Sequence, residues 1–220
     1  MISMNTEQLI ARLAQNVEPV RPLRSPWQRA AGWLAATAAY LGLITAMMIS
    51  GDDLVAIGGR LFIVQQVAAL IAGATAAAAA FASVVPGYPR RMLYLAATAA
   101  SLWVVSLIAG ALQESPQAMS AAVADQREWL CVAMMIGGGF LPAAAIAAML
   151  RKGVPLTPSA TAMLVVLAAA GLANISACLS HPHVSSAATI VWHGGTLLTL
   201  LAVAAWAGRA WQYGERRAAR

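Results

Sequence analysis

Apolar positions along this chain gather into six long runs separated by short polar breaks. The runs are roughly Ala30–Ser50, Leu61–Val85, Met92–Leu112, Trp129–Leu150, Ser159–Leu179 and Ala187–Gly208. Each approaches or exceeds the ~20 residues that carry a helix across ~30 Å of hydrocarbon. None holds a charged residue in its interior, and a centred Arg, Lys or Asp costs roughly 2.5–3.5 kcal/mol to insert. The pattern predicts an all-α, polytopic integral membrane protein with six transmembrane helices. Composition agrees: 60% of the 220 residues are hydrophobic and 10% charged, with mean hydropathy +0.71. A soluble domain of this size cannot hide so much apolar surface.

Ahead of the first run lies one sizeable polar segment. Asn5 followed by Gln8 has the form of a capping box. Leu9, Ile10, Leu13, Ala14 and Val17 then share one helical face. Pro19, Pro22 and Pro26 are expected to end that helix and favour an extended connection. A helix of about twelve residues is marginal alone in water, so its apolar face calls for a partner. Two partners fit the residues: another protein, or a membrane surface held by Arg12, Arg21, Arg24 and Arg29. The chain therefore divides into an N-terminal segment (1–28), a six-helix domain (29–209) and a basic tail (210–220). The first apolar run starts too late and is too long for a cleaved signal peptide.

Charge sets the expected orientation. With the N-terminus on the cytoplasmic side, that side carries Arg12, Arg21, Arg24, Arg29, Arg90, Arg91, Arg151, Lys152, Arg209, Arg216, Arg217 and Arg220, or 12 of the 14 basic residues. The other side keeps Arg60 and Arg127 beside Asp52, Asp53, Glu114, Asp125 and Glu128. This asymmetry places both termini in the cytoplasm. The net charge of +6 flanks the apolar runs and forms no nucleic-acid face. Short proline-marked turns at Pro86–Arg91 and Arg151–Pro158 pair the second run with the third and the fourth with the fifth. Close helix packing is expected at Ala76–Ala80 and at Gly137, Gly138 and Gly139, with Pro142 as a kink.

The chemistry-bearing residues collect on the outer side. Residues 177–193 hold all three histidines, His181, His183 and His193, and Cys178, one of only two cysteines. Cys131 is the third residue of the fourth run and falls at matching depth, within about 5 Å of the outer boundary. Gln65, Gln66, Asn174, His193 and Cys131 form a polar layer that reads either as hydrogen bonding between helices or as a ligand site. Thiols at the rim beside imidazoles suit soft metal ions, and a disulfide is the other option if the Cα atoms come within about 7 Å. Small packing residues at helix ends are the plain alternative.

No catalytic signature is present: no GxSxG, HExxH, phosphate loop or dinucleotide turn. The chain is expected to be a binding and signalling protein, not an enzyme, with no resident cofactor. A small transporter or channel subunit, and a cofactor-binding membrane subunit using His193, are the alternatives.

Several motifs in order resemble one family. They are Leu9, Ile10, Leu13 and Ala14, then Pro19–Val20–Arg21–Pro22–Leu23, Pro26, Arg29 and Trp33. After them come VPGYPRR at Val85–Arg91, EWLC at Glu128–Cys131, RKGVPLTP at Arg151–Pro158, and the stretch from Cys178 to His193. Together they look like the NrsF-type proteins, six-span inner-membrane negative regulators of extracytoplasmic-function (ECF) sigma factors. The resemblance implies an anti-sigma factor in the bacterial inner membrane whose N-terminal segment, through Leu9, Ile10, Leu13, Ala14, Val17, Pro19, Val20 and Leu23, holds an ECF sigma factor. It also implies that Cys131 and Cys178 sense thiol-reactive heavy-metal stress. Side-chain chemistry, apart from the resemblance, adds oxidants as a second signal and a soft metal ion bound transiently, with His181, His183 and His193 as candidate accessory groups.

Overall fold

The computed structural model describes residues 5–15, 24–48, 59–87, 89–124, 129–151, 153, 155, 157–180 and 185–218. Among them there are helices and turns and no strands. We number the helices α1 (Thr6–Gln15), α2 (Pro26–Met48), α3 (Arg60–Ala82), α4 (Arg91–Ala111), α5 (Pro116–Ala124), α6 (Trp129–Leu150), α7 (Pro158–Ser180), α8 (Ser186–Ala188) and α9 (Gly195–Ala218). A π-helical stretch, Thr189–Gly194, joins α8 to α9. Six helical segments are long and apolar enough to cross a membrane: α2, α3, α4, α6, α7 and the composite Ser186–Ala210.

Their starts follow from local chemistry. The backbone N–H of Asn5 donates to Gln8 Oε1 at 3.4 Å, half of the expected box. The complete box stands one helix later. Gln28 N–H donates to Ser25 Oγ at 3.3 Å, and Ser25 N–H donates to Gln28 Oε1 at 3.3 Å. Pro26 therefore opens α2 instead of closing the segment before it. Proline suits a first helical position, where its missing N–H costs nothing. At the other end of the chain α9 runs on to Ala218, through residues that hydropathy alone sets apart as a tail.

α7 is the centre. Of its most apolar stretch 67% is buried, against 17–39% in the other five. It packs against α2, α3, α6 and α9, while α4 lies mainly on α3. The expected hairpins α3–α4 and α6–α7 both form. One core half gathers Trp33, Phe81, Ile146, Leu164 and the run Ala76–Ala80, all buried.

The tight crossings are not at the three consecutive glycines. One is between α3 and α7, where a Cβ on Gly171 would stand 3.2 Å from the Ala69 carbonyl oxygen and 3.4 Å from Gly73 Cα. A Cβ on Gly208 would stand 2.5 Å from Ser159 Cα, so α9 touches the start of α7 backbone to backbone. By contrast Gly137 meets nothing within 4 Å, and Gly139 meets Ala173 Cβ at an ordinary 3.6 Å. Three glycines in sequence mark a thin helix; which crossing is tight depends on which glycine faces a neighbour.

Two ends can be told apart. One, the basic end, holds Arg29, Arg90, Arg91, Arg151 and Arg209; there Ser83 Oγ and Thr161 Oγ1 lie 2.7 Å apart. At the other end Thr45 Oγ1 and Ser176 Oγ lie 2.8 Å apart.

Candidate functional site

Three groups of residues stand out, and the N-terminal helix comes first. α1 buries none of its residues. Leu9, Ile10 and Leu13 are 43%, 60% and 62% exposed, and Ala14 is exposed beside them. The expected apolar face is thus present and uncovered by the described residues. Val17, Pro19, Val20 and Leu23 lie outside the described residues.

The second group is the polar layer at the end opposite the basic one. The structure resolves it into separate pairings. Gln65 Nε2 donates to Ser186 Oγ at 3.0 Å and to the Ser106 carbonyl at 3.3 Å. The carboxylate of Glu114 accepts from the backbone N–H groups of Ser186 (2.6 Å) and Ala187 (3.4 Å). It thereby caps the sixth span, where a negative charge suits the unsatisfied N–H groups. His193 Nδ1 lies 2.6 Å from Asn174 Oδ1, with both residues buried. The amide oxygen can only accept, so Nδ1 carries the proton. His193 sits in the π-helical stretch, a form that interrupts α-helices frequently at sites of function. These pairings read as bonds between helices.

Cys131 and Cys178 fall, as expected, at this same end of the adjacent helices α6 and α7. Their setting differs from the water-accessible rim foreseen for them. Both are buried thiols, with 3% and 5% of their surface exposed. Depth along a span does not reveal such burial. His181 and His183 lie outside the described residues. Among the described residues no three His, Cys, Asp or Glu side chains group as metal ligands.

The third group is at the basic end, where the sequence picks out Arg29 and Trp33 but not their contacts. Arg29, in the first turn of α2, is only 8% exposed. Its Nη2 donates to the Met149 carbonyl in the last turn of α6 at 2.6 Å. Its guanidinium lies 4.5 Å from the ring centroid of Phe81 on α3. One turn on, Trp33 Nε1 donates to the Pro142 carbonyl of α6 at 2.9 Å. Sequence marked Arg29 as an orientation charge. A tryptophan four residues after a span-edge arginine was the available signal of a second role.

The model of one family, described as negative regulator of sigma F, matches residues 13–212 of the chain. The chain belongs to the NrsF family. Neither a curated protein nor a solved structure matches it. As an NrsF protein it is a negative regulator whose partner is a sigma factor. The NrsF match takes in all six long apolar helices, both cysteines and the Arg29 and Trp33 contacts. It begins at Leu13, so Leu9 and Ile10 stand ahead of it.

Proposed function

We propose that this chain is an anti-sigma factor of the bacterial cytoplasmic membrane, with both termini in the cytoplasm and an ECF-type sigma factor as its partner. The observation that carries this reading is the uncovered apolar face of α1, in a chain whose family regulates a sigma factor. A ten-residue helix is short for independent stability. A bound sigma factor would order it and cover Leu9, Ile10, Leu13 and Ala14, with Val17, Pro19, Val20 and Leu23 extending the contact. Full burial of each large side chain contributes roughly 1.5–3 kcal/mol before the cost of ordering. Six apolar helices and the basic asymmetry support insertion in the bilayer with this orientation. The chain acts by binding, not by catalysis.

Release follows from a signal at Cys131 and Cys178, with His181, His183 and His193 as accessory groups. Two thiols lose their protons to bind a thiophilic cation, or give two protons and two electrons to an oxidant and form a disulfide. Burial makes these thiols slow to react with bulky reagents and favours small soft ions. The test is sequestration by the full chain. With Leu9→Asp and Leu13→Asp together, sigma is expected in the soluble fraction and its target genes on without a signal. Unchanged retention at normal protein level overturns the assignment of α1.

A further inference from the structure

α6 carries Cys131 near one end and Met149 near the other, with a weak joint between them. Pro142 lacks an N–H, so the Gly138 carbonyl loses its partner in the helix ladder. Three glycines, 137–139, precede that joint. Rises of 1.5 Å per residue put Cys131 roughly 16 Å from Pro142 on one arm, and Met149 roughly 10 Å from it on the other.

The two arms have different surroundings. Beside the first arm lies a half-open cavity of about 100 Å³, lined by Gly137, Gly138 and Met134 of α6, Tyr40 and Ile44 of α2 and Ala173 of α7. That arm has room to swing toward α2 and α7. The second arm is held. α2 leans mainly on α3 and α7, and its packing against α6 is slight. Among the described residues α2 is tied to α6 by a pair of side-chain donors, Trp33 to Pro142 and Arg29 to Met149. Among the described residues Arg29 Nη1 is buried with no hydrogen-bond partner. The grip therefore satisfies the guanidinium only in part, which suits a contact that must move. In an apolar setting such bonds are directional and costly to break.

We propose that α6 is a jointed lever, with Trp33 pinning it at the joint and Arg29 taking up its output. The inference rests on the function proposed above and supplies its transmission. Drawing Cys131 toward α7 closes the cavity and turns α6 about Pro142. The Met149 end then shifts, and Arg29 carries the first turn of α2 with it. The Ser25–Gln28 box fastens the end of the N-terminal segment to that turn. Arg29 and Trp33 are positioning residues that touch neither signal nor sigma factor.

The test uses the full chain in its membrane with a co-expressed sigma factor and mercury(II) as the signal. Sigma retention and alkylation of Cys131 are measured before and after exposure. Gly138→Leu fills the cavity without touching the grips; its Cβ would meet Leu41 Cδ2 at an ordinary 3.4 Å. Gly138→Leu and Arg29→Gln are expected to retain sigma, to react with mercury as the parent does, and to release less; for Arg29→Gln the loss is about fivefold, the effect of one buried hydrogen bond. Trp33→Phe, which keeps the ring and removes the donor, shows the same split, and Arg29→Lys restores release. Release equal to the parent's in Gly138→Leu and in whichever grip variant reaches the membrane overturns the lever and leaves the proposed function standing. A parent chain that neither binds nor releases sigma overturns the proposed function, and the lever falls with it.

Discussion

His193 Nδ1 and Asn174 Oδ1 stand 2.6 Å apart in the interior, tying the π-helical start of the sixth span to the central helix α7. The bond fixes the rotation of a helix turn that ordinary α-geometry would place differently. Asn174→Ala and His193→Ala are each expected to lower the melting temperature of the purified protein in detergent. The double variant should lose less than the sum, with a coupling of about 1 kcal/mol. Thr45→Val breaks the separate Thr45–Ser176 bond and should add to either single change. Full additivity between Asn174→Ala and His193→Ala would mean that the two side chains do not act as a pair.

The glycine positions separate close approach from mere smallness. Gly171→Val pushes a methyl against the Ala69 carbonyl and Gly73 and should cost roughly 1–3 kcal/mol of stability, as overpacking does. Gly137→Ala meets open space and should gain up to about 1 kcal/mol through helix propensity. Detergent unfolding midpoints of the two variants decide the matter; similar midpoints would place the tight crossing elsewhere.

Orientation rests on charge and is checked by reporters. An enzyme active only outside the cytoplasm should stay silent when fused after Arg220 and become active when inserted within residues 180–186. Activity after Arg220 would reverse or redraw the proposed topology.

The cysteines should matter to the signal and not to resting repression. Cys131→Ser and Cys178→Ser, singly and together, are expected to keep the sigma factor at the membrane. Each should abolish induction by soft-metal or oxidant stress. A double variant that still responds in full would reduce both residues to packing.

The six long apolar helices were legible because hydrocarbon length and uncharged interiors write themselves into sequence. So were the two hairpins, from short proline turns, and the apolar face of α1, from its spacing. What hydropathy does not encode is which side of a helix meets which neighbour. Gly171 looks like any small residue in an apolar run, yet it makes a tight crossing, while the conspicuous Gly137 faces open space. Arg29 reads as one more flanking charge until its neighbours Met149 and Phe81, far off in sequence, are beside it. Glu114 counts as a loop acid until it caps Ser186. The depth of Cys131 and Cys178 came from residue counting, but their burial depends on how the helices pack and had to be seen. The box of Ser25 and Gln28 was readable in principle; Pro26 beside it drew the reading toward a stop instead of a start.

The central position of α7 has a consequence for biosynthesis. A ribosome delivers this chain N-terminus first, so α2, α3, α4 and α6 emerge before the helix around which they pack. On the proposed insertion, those four spans wait in the bilayer with their small-residue faces toward lipid until residues 158–180 arrive. A nascent chain stopped before that point has no centre, and Thr45 lacks its partner Ser176, a polar group left without the bond it makes between helices. Premature termination should therefore yield fragments that vanish rather than fragments that interfere, so a truncated regulator would free the sigma factor without poisoning the intact copies beside it.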